Sequence, residues 1–283
     1  MIKSINIGEF ELHFLHDGEF WLDGGGYFGV IPKVLWSRMV TPDEKNRVVL
    51  KSNPLLVKTD NNNILIDPGL GNKYNEKQAK IWNIKNEPSV VDSLAEIGMT
   101  PEDIDIVIAT HLHFDHMGAS TKFDESGKVV PVFKNAVHYI QKGEWEDAVN
   151  PNERTKGTYF LENYVPLQEA GLVEFLHGDS EIIPGVSVEV TGGHTKYHQI
   201  ILIKSKGETA AYFGGIVSSV NHIKLAYTMG FDLYPLEIMD RRRELYERAI
   251  EENWLVCLEH DLDYPAIYIK RGDKDYTYEP YVF

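Results

Sequence analysis

At 283 residues, with a net charge of −15 and Lys and Arg scattered rather than striped, the chain argues against nucleic acid or an anionic membrane surface as a partner. One cysteine, Cys257, excludes an internal disulfide, and no apolar run approaches the length needed to span a bilayer. With 43% hydrophobic residues a sizeable core is affordable, and no repeat, low-complexity tract or Pro/Ser-rich linker interrupts it, which predicts a single domain over residues 1–283. The opening Met1-Ile2-Lys3-Ser4-Ile5-Asn6 has no apolar leader segment, so a cytoplasmic protein is expected.

In chain order, residues 2–7 and 10–17 read as a hairpin turning at Gly8-Glu9. Asp23-Gly24-Gly25-Gly26-Tyr27-Phe28-Gly29 follows. Three successive glycines argue against a regular element and for a mobile flap, with Phe28 and Trp36 as an apolar pocket wall. A second hairpin, 54–59 and 63–66, ends at Asp67-Pro68-Gly69. Ser89, with Asp92 three residues on, starts a helix that Gly98 ends. The β-branched run 104–109 predicts a buried strand.

That strand runs into Thr110-His111-Leu112-His113-Phe114-Asp115-His116, four metal-binding side chains within six residues. In extended chain His111 and His113 point to one side, while Asp115 and His116 follow in a turn. One strand end can thus offer two ligands to one metal and two to a neighbour, a pattern hard to attribute to chance. Further on, strands are predicted at 129–133, 136–140, 172–176, 186–190, 200–204, 209–213, 254–258, 266–270 and 275–279. Helices are predicted at 143–148, 155–163 and 237–253, with His138 and Trp145 as packing residues. Gly192-Gly193-His194 presents a histidine closely at a strand end, and Glu259-His260-Asp261 closes another strand.

The H-x-H-x-D-H stretch resembles the signature of the metallo-β-lactamase-fold hydrolases. Gly193-His194-Thr195-Lys196-Tyr197-His198 resembles another motif of that family, the Gly-rich segment 23–33 resembles its lactonase-like branch, and the likeness runs from Asp23 to His260. The resemblance implies a four-layer αββα sandwich, in the α/β (α+β) class, with metals at one edge. It implies His111, His113 and His194 as one ligand set and Asp115, His116 and His260 as a second. Asp67, His198 and Asp232 would orient ligands, and Ser218 and His222 would join Phe28 and Trp36 at the substrate pocket. One or two Zn²⁺ ions are the first expectation, with Mn²⁺, Fe²⁺ or Co²⁺ as alternatives. The implied reaction is hydrolysis of a small ester or lactone, most plausibly an N-acyl-homoserine lactone, with Asp115 handling the proton of the attacking water. A phosphotriester or thioester, and a non-catalytic metal- or ligand-binding protein, stay open as alternatives, as does a homo-oligomer.

The pattern breaks at one place. The family carries a metal-bridging aspartate where this chain has Gly215, natural or introduced, and Ser218 stands where some lactonases carry a substrate-positioning tyrosine. Neither Glu259 nor Asp261 has a ligand role in the resemblance. The expectation is therefore a second metal held weakly, restored by Gly215→Asp.

Overall fold

The computed structural model describes residues 1–283. β1 (Lys3–Ile7) and β2 (Phe10–Phe14) form the first predicted hairpin. β3 (Glu19–Asp23) and β4 (Arg47–Lys51) pair as a separate ribbon that the sequence reading does not anticipate. β5 (Leu55–Lys58) and β6 (Asn63–Ile66) are the second hairpin, and β7 (Ile106–Ile108) is the buried strand before the histidine motif. β8 (Thr121–Phe123) and β9 (Val129–Pro131) form another small ribbon. β10 (Val137–Gln141) and β11 (Val173–Leu176) run parallel to β7 and complete a seven-stranded sheet ordered β1-β2-β5-β6-β7-β10-β11.

The second sheet also has seven strands and follows chain order. They are β12 (Ser180–Ile183), β13 (Val186–Val190), β14 (Gln199–Ser205), β15 (Glu208–Tyr212), β16 (Leu255–Cys257), β17 (Ala266–Arg271) and β18 (Tyr276–Pro280). Its one parallel pair is β15 with β16. The 17-residue helix Pro235–Glu251 crosses between them, as a parallel connection requires.

Alternation along the strands builds the layers. From the first sheet Leu12, Phe14, Leu55, Val57, Ile64, Ile66, Ile106 and Ile108 face Val186, Val188, Ile201, Ile203, Tyr212, Leu255 and Cys257 of the second, making the central core. Their neighbours face outward. Leu56, Leu65 and Val107 meet Val90 and Leu94 of the helix Val90–Glu96, and Ile200, Leu202, Ala211 and Val256 meet Ile238, Leu245 and Ala249 of Pro235–Glu251. Helix, sheet, sheet, helix is the expected αββα sandwich.

Two local expectations are corrected. Gly24–Phe28 is a short helix, not an irregular flap. The Asp23 carboxylate caps it, accepting from Gly25 N at 2.8 Å and Gly26 N at 3.1 Å. The glycines serve close packing. A Cβ on Gly24 would lie 2.6 Å from the Trp36 ring, and one on Gly26 would lie 2.6 Å from Phe231. Residues 155–163 are turns ending in a 3-10 turn, Leu161–Asn163, with a helix only from Val165–Glu169. Asn152 Oδ1 takes the amides of Arg154 and Thr155, and Gly157 weakens helix further.

Candidate metal centre

Chain ends from both sheets meet at one edge. The motif after β7 begins on extended chain and turns at once into the short helix Phe114–Met117, capped at His113, so Asp115 and His116 point differently from His111 and His113. His194 comes from the β13–β14 connection, Gly215 from the turn after β15, and Glu259 and His260 from the end of β16. All of these side chains are buried.

His111, His113 and His194 converge. His113 Nδ1 lies 3.0 Å from His111 Nε2 and 3.2 Å from His194 Nε2. Hydrogen-bond partners on the far nitrogens fix two of the tautomers. The Asp67 carboxylate accepts from the Thr110 hydroxyl at 2.6 Å, so that hydroxyl is free to accept from His111 Nδ1–H at 2.9 Å. Asp232 Oδ1 accepts from His194 Nδ1–H at 2.8 Å. Both Nε2 atoms therefore present bare lone pairs. Three nitrogens spaced this way match a tetrahedral ion, whose ligands at 2.0–2.1 Å sit about 3.3 Å apart.

The second group is Asp115, His116 and His260. His260 Nδ1–H donates to the Lys51 carbonyl at 2.8 Å, which turns Nε2 inward to within 3.5 Å of Asp115 Oδ2. His116 Nδ1–H donates to Asp67 Oδ2 at 2.8 Å. Burial, reinforced by neighbouring imidazoles, pushes the pKa of His111 and His113 well below the usual histidine value. Burial also takes His116 and His260 down to about 3. These imidazoles stay neutral, the form in which histidine binds metal. The donor set therefore fits divalent ions in both places.

His198 is no part of either group. Its Nε2 accepts from Gly215 N at 3.0 Å and its Nδ1 faces the Thr191 hydroxyl at 2.7 Å, so it pins the turn that carries Gly215. Arg242, buried on the helix Pro235–Glu251, fixes the far side of that turn by donating from Nε to the Ile216 carbonyl at 2.7 Å.

The centre opens into a cavity of about 530 Å³ bordered by His113, Asp115, His116, His194, Gly215, Ser218 and His260. Its apolar wall differs from expectation. Trp82 stacks on Phe114 with centroids 4.3 Å apart, and Trp21, Leu50, Ile81 and Phe231 extend the wall. Phe28 and Trp36 stack on each other one layer behind it. His222 is also withdrawn, donating to the Tyr27 carbonyl at 3.0 Å and stacking on Phe28. These three pocket assignments are corrected. Phe28, Trp36 and His222 are instead spent on packing against one another and Tyr27, and of residues 24–29 Tyr27 alone borders the cavity.

Two polar residues escaped the sequence reading. Tyr27 reaches the cavity with its hydroxyl 3.0 Å from Ser218 Oγ and donates to Ser219 Oγ at 2.9 Å. Glu144, buried on the helix Lys142–Val149, accepts from Leu112 N, the Tyr159 hydroxyl and the Thr195 hydroxyl, tying the His113 loop to the His194 loop. An acidic residue at a helix start gives no sequence signal of such a role.

Comparison with known proteins agrees with this geometry. The model of the metallo-beta-lactamase superfamily matches residues 47–260. An N-acyl homoserine lactonase from a Bacillus species is 28% identical over 221 residues, 74% of this chain and 80% of its own length. A probable metal-dependent hydrolase from Staphylococcus aureus superposes with a TM-score of 0.90 at 31% identity, covering 99% of both chains. AidC, a dizinc quorum-quenching lactonase solved with its product N-hexanoyl-L-homoserine, superposes with a TM-score of 0.83 at 20% identity. That match covers 100% of this chain and 98% of AidC, a likeness of fold.

Proposed function

Because this chain belongs to the metallo-β-lactamase superfamily, we propose that it is a metal-dependent hydrolase that opens lactones, of the N-acyl-homoserine class. The observation that carries the reading is the convergence of the His111, His113 and His194 nitrogens, 3.0 and 3.2 Å apart, at the floor of an apolar-walled cavity. In the proposal these three hold one ion, and Asp115, His116 and His260 contribute to a second. Asp67 and Asp232 orient His116 and His194. Zn²⁺ suits so imidazole-rich a set, with Mn²⁺, Fe²⁺ and Co²⁺ to be compared. Ions held there supply Lewis acidity and lower the pKa of water toward neutrality.

The chain's own groups do the rest. The Asp115 carboxylate borders the cavity and is placed to take a proton from the attacking water and return it to the leaving alkoxide. Tyr27 orients the acyl substrate. Burial raises its pKa, so it remains a phenol, and its one proton, given to Ser219 Oγ, passes to a substrate oxygen only when that bond is released. The Trp82–Phe114 wall excludes water and accommodates an acyl chain.

The test loads the protein with Zn²⁺ or Mn²⁺, measures metal per chain by mass spectrometry and follows opening of N-hexanoyl and N-decanoyl homoserine lactones. His113→Ala is expected to lower metal content and to cut the rate by at least about 100-fold, the upper range for loss of a mere outer partner. Unchanged metal content in that variant would remove the ligand assignment. Turnover of a phosphotriester or thioester with lactones untouched would leave a metallo-hydrolase with another substrate.

A further inference from the structure

We propose that Glu259 is a ligand of the second metal, supplying from the end of β16 the carboxylate that Gly215 lacks at the end of β15. The inference rests on the two-metal reading above and revises the expectation that the second ion is weakly held.

The first observation is an orphaned carboxyl group. Glu259 is 1% exposed, yet neither of its carboxylate oxygens has a hydrogen-bond partner. Oε1 lies 2.9 Å from His116 Nδ1, but the N–H there is directed at Asp67. A buried carboxylate without a partner is held by something else, or it would be strongly disfavoured.

The second observation is where it points. Glu259 Oε2 lies 3.6 Å from His260 Nε2, and Asp115 Oδ2 lies 3.5 Å from the same nitrogen. These are the separations of ligands sharing one ion, roughly 3.3–3.6 Å for donors at 2.0–2.2 Å. The ion pairs of Asp67, Asp115 and Glu259 are with histidine alone, and no Lys or Arg joins them. Three carboxyl groups buried together among neutral imidazoles are stable only with protons or cations between them, and a second divalent ion is the cation the donor set suits.

The third observation concerns position 215. A Cβ there would meet the His194 ring at 2.4 Å, so no side chain can enter from that turn while His194 stays in place. β15 and β16 are adjacent parallel strands with Tyr212 opposite Cys257. Carried forward, that register sets residue 259 beside 214 and residue 260 beside 215, so Glu259 leaves the sheet on the adjacent strand one position from Gly215. A glutamate, one methylene longer than aspartate, reaches the centre from the neighbouring strand.

The experiment compares the intact protein with Glu259→Gln and His113→Ala after loading with Zn²⁺ and desalting. Metal per chain is read by mass spectrometry and affinity by chelator competition. The parent is expected to hold close to two ions and Glu259→Gln close to one. Affinity at the second site, read by chelator competition, should fall in Glu259→Gln by at least the about 10–100-fold that loss of an outer partner costs. Two ions of unchanged affinity in Glu259→Gln would overturn the proposal and make Glu259 a buried neutral acid. A parent holding one ion, unchanged in Glu259→Gln, would also overturn it while leaving the three-histidine site intact. A parent that holds no metal would instead defeat the proposed function. Should Glu259→Gln fail to fold, anomalous diffraction from the Mn²⁺-loaded parent decides. Density for a second ion within coordination reach of Glu259 supports the proposal, and its absence there overturns it.

Discussion

The turn that carries Gly215 is pinned from two sides, by His198 Nε2 accepting from its amide and by Arg242 donating to the Ile216 carbonyl. Gly215 reads as a deleted ligand, because a one-dimensional comparison registers only which side chain is gone. It cannot register that the vacated volume is filled by the His194 ring, 2.4 Å from where a Cβ would stand. Nor can it register that Glu259, adjacent in sequence to a ligand, approaches from the next strand. Gly215→Asp is therefore expected not to restore a metal. It should push His194 off its hydrogen bond with Asp232, lowering occupancy of the three-histidine site and changing the Co²⁺ absorption of the loaded protein. A rise in metal content in that variant would show that the ring can yield. The histidines themselves were legible, since a dense motif at a strand end needs no tertiary information. The partners that fix their tautomers, Thr110 and the Lys51 carbonyl, were not, because a hydroxyl or a backbone oxygen looks the same everywhere in a sequence.

Strands with clean alternation and the helix Val90–Glu96, with its Ser89–Asp92 capping box, were readable from local pattern alone. The elements that line the cavity were not. Glu76–Trp82 is a seven-residue helix with no buried residue, so it has no apolar stripe to announce it, yet it delivers Trp82 onto Phe114. The β3–β4 ribbon is bounded by distant segments that meet only in the fold. Chain-length preference belongs to this wall and not to Phe28. An apolar surface discriminates by about 1–3 kcal/mol per methylene, so Trp82→Ala should flatten the preference between hexanoyl and decanoyl substrates by about 10-fold or more. Metal content should stay unchanged. Equal kcat/KM ratios for the two substrates in parent and variant would place the acyl chain elsewhere.

Across the whole molecule the central core joins two sheets that touch mainly through aliphatic side chains, and no helix is long and apolar enough to cross a membrane. The proposed ions would fasten the same two sheets at their edge, since the first sheet supplies His111, His113, Asp115 and His116 and the second supplies His194, Glu259 and His260. A ligand that binds only the folded state at about 1,000 times its Kd adds about 4 kcal/mol. Removal of metal by chelation should therefore lower Tm by on the order of 10 °C for a chain of this size. An unchanged Tm in protein shown to be metal-free would mean that the edge is held without the ions. The distribution of these residues along the chain also sets an order in time. Four of them exist once residue 116 has been made, the fifth at residue 194 and the last two only at residues 259 and 260. The three-histidine set is complete once residue 194 has been made, whereas the second set lacks donors until β16 has settled beside β15, late in synthesis. Capture of the second ion is thus a seal on a nearly finished fold, and a chain cut short before residue 255 would carry the whole H-x-H-x-D-H motif and still be unable to close that site.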